Sequence, residues 1–554
     1  MIDSKVLTIK EKYHAIIASS FFLNNACNRA EKENQKLNSS ILKELEQEKT
    51  ALLLVIGVDD GALLILLKDW LAQSNQRKVI FFDGNCQRVI EFIQKKELEE
   101  QLISSQVDVK LVLNEEFERA LTEAIIDVPI ENISLHLDER YSYLDKEVLL
   151  SQVARKSVLT ISYFHEKAYY HLLLRNLIQN FYQMPKAFCA DELTLAFENI
   201  PVIICGAGPS LKNHQNSLKK LKGRALIFAG GSAVKALEHM GIEPDIAFAL
   251  DPNPEEFERL SLNYQIQVPL LFGARVEPRA LKSWMGPIGY MKTTAGGFVE
   301  QELQEKLDLC SPVLLQGLCE EALSVTTLIL SAAASMGCSK IYLCGVDLAF
   351  TEGKRYSPGV LEANDQIIST TSSCINRQVL KPSRDGVSTT TSIKWVMELD
   401  AIERFAQKHK DIKIFDATSG GLGFPNLEKI DLDSLSYPQI DPLLIDKKIN
   451  QCQRLSSKKN QIELFIKELY ESFESSLKII EEINAEYEKK GNADESALVT
   501  LLELELEDQK AYQWFLKPLQ EHEGFLYSCK YEYWKLGLNI ISDCLKLCFP
   551  FSND

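Results

Sequence analysis

The sequence has few of the features that mark membrane, secreted or nucleic-acid-binding proteins. No apolar run approaches the ~20 residues that a membrane-spanning helix needs. The closest run, over residues 51–67, is interrupted by Asp59, Asp60 and Gly61. Positive charge is in the minority, because 61 Lys and Arg residues stand against 78 Asp and Glu residues and leave a net charge of -17. We therefore expect no membrane span and no nucleic-acid partner, and any phosphate site has to be built locally.

Cysteine motifs are missing as well. The 13 cysteines include no C-x-x-C pair and no Cys/His cluster, and several of them, such as Cys205 and Cys344, lie inside apolar segments. This pattern predicts reduced, partly buried thiols and neither disulfides nor metal ligands. The N-terminal sequence M-I-D-S-K lacks the basic-then-apolar order of a secretory signal, so we expect a cytoplasmic protein.

The 554 residues are too many for one hydrophobic core, so several domains are expected. Short apolar runs alternate with helical patterns, which predicts an α/β fold with mostly parallel sheets. We predict N-terminal helices and a small Rossmann-like α/β domain at 1–145, followed by a helical connector at 146–198. A central, doubly wound α/β domain follows at 199–433, and a helical bundle at 442–554 ends the chain.

The central domain opens with P-V-I-I-C-G-A-G-P-S-L at residues 201–211. Four apolar residues predict a buried strand, and the glycines and proline after them predict a sharp turn into a helix. Backbone N–H groups in such a turn can bind a phosphate. The motif is not a complete G-x-G-x-x-G, because Leu211 fills its last position. A tight turn without a ligand therefore stays open as an alternative.

Two more predicted strands, at 225–229 and 246–250, also end in polar loops. Gly230 and Ser232 follow the first strand, and Asp251 and Asn253 follow the second. Because the carboxyl ends of parallel strands lie at one edge of a sheet, we expect these loops to meet the 206–211 turn there. The sequence thus predicts a ligand site at that edge.

Several motifs in this region resemble a known family. They are I-I-C-G-A-G-P-S-L at 203–211, G-S-A-V-K-A-L at 231–237, G-I-E-P-D-I-A-F-A-L-D-P at 241–252 and M-G-C-S-K-I-Y-L-C-G-V-D-L-A-F at 336–350. In this order they resemble the central domain of the motility-associated factor proteins, bacterial glycosyltransferases that put nonulosonic (sialic-acid-like) sugars on flagellin. The same domain resembles archaeal 6-hydroxymethylpterin diphosphokinases. The resemblance covers residues 199–433.

The resemblance implies a Rossmann-like, sialyltransferase-like central domain that binds a nucleotide sugar. It implies a protein O-glycosyltransferase that moves a nonulosonic sugar from a CMP-activated donor to Ser or Thr of flagellin or another surface protein. Neither a metal nor a cofactor is implied, since the CMP-sugar is a substrate. The acceptor protein would be bound through the N- and C-terminal regions, and a homo-oligomer is a further expectation.

The same resemblance assigns roles at the site. Asp347 is the candidate base for the acceptor hydroxyl, and Tyr356 is the second catalytic candidate, as a stabiliser of the leaving phosphate. The expected nucleotide- and sugar-binding residues are Gly206, Ala207, Gly208, Pro209, Ser210, Leu211, Gly230, Ser232, Asp251, Asn253, Gly317, Ser324, Thr326, Gly345 and Lys354.

Two other functions stay open. A diphosphokinase of the 6-hydroxymethylpterin type would use ATP and Mg²⁺, with Asp251 and Asp347 as metal ligands. A non-catalytic relative would keep the fold as a binding or scaffold protein. This chain departs from the family in two places: it has no histidine between His239 and His409, near Tyr356, and extra residues follow Gly317. A structural role for Asp347 and Asp251, as turn residues, is the plain alternative to chemistry.

Overall fold

The computed structural model describes residues 38–47, 50–112, 117–125, 128, 132–141, 143, 144, 146, 149, 152, 153, 156, 170–261, 267–293, 297–309, 324–360, 378–491, 496–517 and 530–549. The described residues up to 156 form one compact unit, here called the small unit. Those from 170 onward form a second, the large unit.

The small unit contains a four-stranded parallel sheet in the order β3-β2-β1-β4. Its strands are β1 (Leu52–Ile56), β2 (Lys78–Asp83), β3 (Val107–Leu111) and β4 (Ile133–Leu137). Its helices are α1 (Asn38–Gln47), α2 (Ala62–Leu66), α3 (Lys68–Ala72), α4 (Cys86–Ile93), α5 (Glu99–Ile103) and α6 (Phe117–Ile125). All five residues of β1 are buried and aliphatic, which is typical of an inner strand of a parallel sheet. The α/β fold predicted for this region is confirmed.

The carboxyl edge of the small sheet is closed by carboxylates of the same unit. Asp59 accepts hydrogen bonds from the N–H groups of Gly61 (2.9 Å) and Leu63 (2.8 Å) at the start of α2. Asp83 ends β2, and its buried carboxylate pairs with Arg88 at 2.8 Å. The polar groups at this edge are therefore engaged with one another.

The large unit is built on a nine-stranded parallel sheet in the order β15-β14-β11-β6-β7-β8-β9-β10-β5. Its strands are β5 (Phe188–Cys189), β6 (Val202–Cys205), β7 (Leu226–Gly230), β8 (Ile246–Ala249), β9 (Leu270–Phe272), β10 (Ile288–Tyr290), β11 (Lys340–Cys344), β14 (Lys413–Asp416) and β15 (Glu428–Lys429). A separate antiparallel pair consists of β12 (Gln378–Pro382) and β13 (Ser388–Ser392). The predicted parallel central sheet is confirmed.

Helices cover both faces of this sheet. Helix α7 (Tyr170–Phe181) precedes β5. The helices that follow it are α8 (Gln215–Leu221), α9 (Ser232–His239), α10 (Glu255–Leu260), α11 (Pro278–Ser283), α12 (Gly297–Lys306), α13 (Val325–Ser335) and α14 (Ile393–Lys408). Alternate strand residues supply the two cores, since side chains along a strand point to opposite faces. In β6, Ile203 and Cys205 belong to one core, whereas Val202 and Ile204 belong to the other.

The order of the strands reverses at β6. From β6 the chain adds β7, β8, β9 and β10 on one side, and it then returns to add β11 and β14 on the other. The reversal leaves β6 beside β11, with Cys205 opposite Cys344. In open parallel sheets, ligands bind outside the carboxyl ends of the strands at such a switch point.

The C-terminal helices share a hydrophobic core with the sheet. They are α15 (Leu444–Gln451), α16 (Lys459–Lys490), α17 (Ala497–Glu507) and α18 (Lys530–Cys548), with a π-helical turn at Tyr512–Leu516. Phe465 of α16 packs edge-to-face on Phe181 of α7, with ring centroids 6.0 Å apart. The helical character predicted for this region is thus present, while the domain boundaries at 145, 198, 433 and 442 stay predictions.

Parts of the large unit differ from the sequence-based expectation. Residues 286–290 have a turn-like composition, yet Ile288–Tyr290 forms β10. A Cβ atom on Gly289 would lie 2.5 Å from the ring of Phe188, so glycine is needed where β10 meets β5. The polar composition of residues 351–391 predicts an irregular excursion, whereas the structure forms the hairpin β12–β13 within it. The apolar residues V-L-L at 313–315 predict a further short strand, and these residues lie outside the described part of the chain.

Neither disulfides nor membrane spans appear in the described part of the chain. Cys205 and Cys344, for example, are reduced thiols that form no disulfide. Among the described helices, none combines the length and the apolar character needed to cross a bilayer.

Helix α7 positions loops at the carboxyl edge of the large sheet through two asparagines one turn apart. The side-chain amide of Asn180 donates to the carbonyls of Ala274 (2.9 Å) and Val276 (2.6 Å). That of Asn176 donates to the carbonyl of Pro252 at 2.9 Å. The helix predicted as a connector therefore fixes the loops that follow β8 and β9.

We predict that Asn180→Ala lowers the free energy of unfolding by about 2–4 kcal/mol, since it leaves two buried carbonyls without their donor. Chemical denaturation measured by circular dichroism tests this. Asn450→Ala, at an exposed site, is the matched control and should change stability by less than about 0.5 kcal/mol. Equal effects of the two substitutions would contradict the role given to Asn180.

Candidate functional site

The turn after β6 packs directly on the loop after β11. The N–H groups of Gly206 and Gly208 donate to the carbonyls of Cys344 and Gly345, both at 2.8 Å. The N–H of Leu211 donates to the carbonyl of Gly208 at 3.0 Å. Most N–H groups that the sequence analysis assigned to a phosphate are therefore bonded within the protein in this structure.

Asp347 occupies the centre of this contact. Its Oδ2 accepts the N–H of Ser210 at 3.0 Å, and its Oδ1 accepts the hydroxyl of Ser210 at 2.5 Å. The hydroxyl of Thr351 donates to Oδ2 at 2.6 Å. The side chain is buried, with 2% of the residue exposed. The carboxylate thus lies where a bound anion would meet the N–H of Ser210, and it joins the carboxyl ends of β6 and β11.

Glycines from three loops make room for this carboxylate. A Cβ atom on Gly208 would lie 2.5 Å from Cγ of Asp347, and one on Gly420 would lie 3.2 Å from its Oδ2. Gly421 has a φ of +72°, and a Cβ atom there would overlap the carbonyl of Asp347. Gly345 has a φ of +65° and lies against Leu211. Part of the glycine pattern that suggested a phosphate loop thus serves loop-to-loop packing around Asp347.

The hydrogen bonds of Asp347 restrict its predicted role as a general base. A general base has to reach the proton that it takes, whereas both carboxylate oxygens here accept hydrogen bonds from Ser210 and Thr351. The plain alternative, a carboxylate that holds two loops together, agrees with these contacts. The assignment of Asp347 as the base stays a prediction, and it requires a proton path through one of its hydroxyl partners.

The segment 351–360 lies over the glycine turn. The N–H of Ser357 donates to the carbonyl of Ala207 at 2.8 Å. Tyr356, a predicted catalytic residue, is half-buried, and the guanidinium of Arg355 lies 5.1 Å from its ring centroid and 5.7 Å from that of Trp395. Lys354 is exposed on the same segment. This segment therefore carries two cationic side chains and a phenol, and its Ser357 contacts the turn.

The loops after β7 and β8 meet at a second polar cluster. Asp251 accepts from the side-chain amide of Asn253 at 2.6 Å and pairs with Arg259 at 2.9 Å. Arg259 also lies 3.6 Å from the buried carboxylate of Glu256. Gly231 allows that carboxylate to approach, because a Cβ atom there would lie 3.3 Å from Oε2 of Glu256.

The sequence analysis did not predict Glu256 and Arg259 as site residues. The only sequence signal for them is weak: an acidic and a basic residue three positions apart on a helix can form an ion pair. Burial raises the pKa of Glu256 to about 7; the charge of Asp251 also raises it, while Arg259 lowers it. Tyr356 lies close enough to Arg259 to interact with it electrostatically. The cluster at the end of β8 therefore lies near the segment over the glycine turn. Titratable groups with such perturbed pKa values are enriched at functional sites.

Three of the remaining predicted residues, Gly230, Ser324 and Thr326, lie at or against the start of α13. Ser324 caps this helix by accepting from the N–H of Thr326 at 3.2 Å, and it donates to the buried Glu398. A Cβ atom on Gly230 would lie 2.5 Å from Val325, so Gly230 serves the packing of α13 on β7. Ser232 begins α9 beside Gly231. Gly317 lies outside the described residues.

A polar pocket of about 310 Å³ opens on the other side of Asp347. It lies between the 3-10 helix Pro209–His214, the loop after β11, the β12–β13 turn and the loop after β14. Its lining residues are Pro209, Ser210, Lys212, Asn213, Phe350, Thr351, Glu352, Ser383, Asp385, Val387, Ser388, Thr389, Ser419, Gly420 and Gly421. Of these lining residues, the sequence analysis named only Pro209 and Ser210 as site residues.

The same carboxylates are the metal ligands that a diphosphokinase would need. Among the described residues, no group of three His, Cys, Asp or Glu side chains is placed to hold a metal ion. The oxygens of Asp347 accept from Ser210 and Thr351, and those of Asp251 accept from Asn253 and Arg259. As arranged here, these two side chains do not fit a Mg²⁺ ligand pair.

We predict that Asp347→Asn lowers the free energy of unfolding by about 2–4 kcal/mol, because an amide N–H₂ group would face a hydrogen-bond donor of Ser210 or Thr351. Ser210→Ala should cost about 1–3 kcal/mol, and the double variant should cost less than the sum, since both changes remove the same bond. Denaturant titrations measure all three. Asp411→Asn, at an exposed site, is the control; a loss of stability no larger than that of the control would contradict the joining role.

The pKa of Glu256 predicts a pH dependence of stability. Its value is about 7 in the folded protein against an ordinary 4.5, so the folded state binds this proton more tightly than the unfolded chain does. The contribution is fully present below about pH 4.5 and is lost as the pH rises to about 7. In Glu256→Gln this part of the slope, at most about 1.4 kcal/mol per pH unit, should vanish.

Denaturation at several pH values between 4 and 8 measures the two slopes. The matched control is Glu258→Gln, which lies exposed on the same helix and should keep the wild-type slope. A wild-type slope in Glu256→Gln as well would contradict a raised pKa of Glu256 in the folded protein.

The comparisons with known proteins bear on the central part of the chain. Residues 175–353 match the family model described as 6-hydroxymethylpterin diphosphokinase MptE-like. No curated protein matches the chain. Among solved structures, the Maf glycosyltransferase from Magnetospirillum magneticum AMB-1 is similar over 97% of this chain and 87% of that chain, with 15% identity and a TM-score of 0.46. At these values the likeness to the solved structure carries no argument about activity.

The matched residues 175–353 include strands β5 to β11, the glycine turn and Asp347. The resemblance that the motifs at 203–211, 231–237, 241–252 and 336–350 predicted is confirmed for this region. The central region of the chain is similar to the MptE-like 6-hydroxymethylpterin diphosphokinase domain.

Proposed function

We propose that this chain is a cytoplasmic protein O-glycosyltransferase that moves a nonulosonic sugar from a CMP-activated donor to Ser or Thr of flagellin or another surface protein. The observation that carries the proposal is the meeting of four loops at one sheet edge. The turns after β6, β7, β8 and β11 bear the family-like motifs, and they follow four neighbouring strands at the carboxyl edge, next to the switch point between β6 and β11. The proposed reaction is inferred from the sequence resemblance to motility-associated factor proteins.

The donor is assigned to the side of the glycine turn that faces β7 and β8. There the turn at Gly231 and the side chains of Ser232 and Asn253 offer hydrogen-bonding groups to a nucleotide sugar. Lys354 and Arg355 supply positive charge on the segment 351–360. An anionic donor needs such local charge, because the protein as a whole carries a net charge of -17 and repels anions. Tyr356 would donate to the leaving phosphate as its negative charge develops.

The acceptor hydroxyl needs a group that takes its proton as the new glycosidic bond forms. Asp347 is the proposed base, acting through the hydroxyls that contact it. The small unit and the helices α16–α18 are the proposed binding surfaces for the acceptor protein, with a homo-oligomer as a further proposal. No metal or cofactor has a role in this scheme.

A diphosphokinase is the second candidate, and the family model that matches residues 175–353 favours it. Such an enzyme would use ATP and Mg²⁺, and the charge of Mg²⁺ would stabilise the transferred phosphoryl group. The present contacts of Asp251 and Asp347 do not fit the metal-ligand roles that this function needs. A non-catalytic binding or scaffold protein is the third outcome of the experiment below.

Isothermal titration calorimetry with CMP and with ATP, each with Mg²⁺ and with EDTA, separates these functions. We expect CMP to bind with the same affinity in Mg²⁺ and in EDTA, because backbone and side-chain donors alone hold its phosphate. ATP binding that EDTA abolishes, without CMP binding, would instead support the diphosphokinase. If neither nucleotide binds under any condition, the scaffold function would stand and the transferase would be excluded.

A further inference from the structure

We propose that the 310 Å³ pocket beside Asp347 binds the hydroxyl-bearing segment of the acceptor polypeptide, and that Thr351 passes the acceptor proton to Asp347. This inference rests on the proposed function and names a second subsite for it. The pocket is the acceptor side, and the β7–β8 side of the glycine turn is the donor side.

The lining of the pocket suits a neutral, hydroxyl-bearing ligand. Most of its residues carry a hydroxyl, an amide or a charged group; the hydroxyl and amide side chains are Ser210, Asn213, Thr351, Ser383, Ser388, Thr389 and Ser419. Hydroxyls both donate and accept, so they can pair with Ser or Thr side chains and with peptide groups of an extended segment. Phe350 and Val387 add apolar surface for backbone and methyl groups.

The charges of the pocket argue against the donor as its occupant. Lys212 lines the pocket, and its positive charge is paired with the carboxylate of Glu352 at 2.8 Å. Asp385 adds a further negative charge. A CMP-sugar carries a phosphate and a sugar carboxylate, both anionic, and this wall would repel them. An acceptor segment without acidic residues meets no such repulsion.

The pocket is connected to the buried carboxylate through two hydroxyls. Ser210 and Thr351 line the pocket and donate to Asp347 at 2.5 Å and 2.6 Å. Thr351 is the more exposed of the two, since Ser210 is 1% exposed. Gly420 lets the loop after β14 approach Thr351, because a Cβ atom on residue 420 would lie 2.9 Å from Cγ2 of Thr351. A proton can therefore leave the pocket through Thr351.

The transfer step balances without a further reactant. The acceptor oxygen forms a bond to the anomeric carbon of the sugar, and the bond from that carbon to the CMP phosphate breaks with its electron pair going to CMP. The acceptor O–H proton moves to Oγ1 of Thr351 as the Thr351 proton moves to Oδ2 of Asp347. Thr351 is unchanged overall, and Asp347 later loses its proton to water.

The first test fills the pocket. Ser388→Trp places a large ring at its exposed rim, and Ser456→Trp, at an exposed site elsewhere in the large unit, is the matched control. The probe is an acetylated and amidated Ser/Thr pentapeptide of zero net charge, and its binding to the full chain is measured by NMR without donor. We expect Ser388→Trp to weaken peptide binding at least tenfold and Ser456→Trp to leave it unchanged. Equal binding by the two variants would overturn the pocket assignment.

The second test addresses the proton path. With a CMP-activated nonulosonate as donor, Thr351→Val should lower kcat for transfer to the peptide by about 10²-fold, with the peptide KM little changed. Thr351→Ser restores the hydroxyl and should restore most of kcat, which a role limited to packing of the Thr351 methyl group would not predict. Full activity of Thr351→Val would overturn the relay.

The two tests keep this inference distinct from the proposed function. Peptide binding that Ser388→Trp abolishes, in a protein that binds no CMP, would support the pocket and reject the transferase. CMP binding and peptide transfer that neither Ser388→Trp nor Thr351→Val affects would support the transferase and reject both parts of the inference.

Discussion

The carboxylate of Asp347 joins the two strands between which the order of the large sheet reverses. Parallel strands leave their loops at one edge, and at a reversal point the two neighbouring loops run to opposite sides, which opens a crevice. Here the bonds from Ser210 to Asp347 cross that crevice and hold the ends of β6 and β11 together. Without them, a buried carboxylate and two donors would lose their partners, which is costly in a low-dielectric interior.

This contact divides the edge of the sheet into two sides. Toward β7 and β8 lie the cluster of Asp251, Glu256 and Arg259 and the segment that carries Tyr356. Toward β14 lies the pocket lined by hydroxyls. A transferase needs two substrates on opposite sides of the reacting carbon, with a proton acceptor beside the incoming hydroxyl. In the transferase that we propose, the donor subsite lies on the first side and the acceptor subsite on the second, an assignment that rests on the charges of the two sides.

The sequence predicted the strands well because buried parallel strands are continuous apolar runs, as in Val202–Cys205 and Ile246–Ala249. It missed β10, since the glycine that β10 needs against Phe188 looks like a turn residue. The meeting of strand ends was predictable from topology, whereas the partner of Asp347 was not: Ser210 is 137 residues away and its bond depends on how two loops pack. The burial of Glu256 and the pocket wall formed by the β12–β13 turn likewise exist only in three dimensions.

Hydrogen–deuterium exchange of the full chain with and without CMP tests the central claim most directly, because it reports where the nucleotide binds and whether it binds at all. The account predicts that CMP slows exchange of backbone N–H groups at Ala207, in the turn at 230–232, at 251–253 and in the segment 351–360. It predicts no change in the small unit or in α18. Slowed exchange in the loops after β1 and β2 of the small unit, with no change at 207, 230–232 or 251–253, would contradict it.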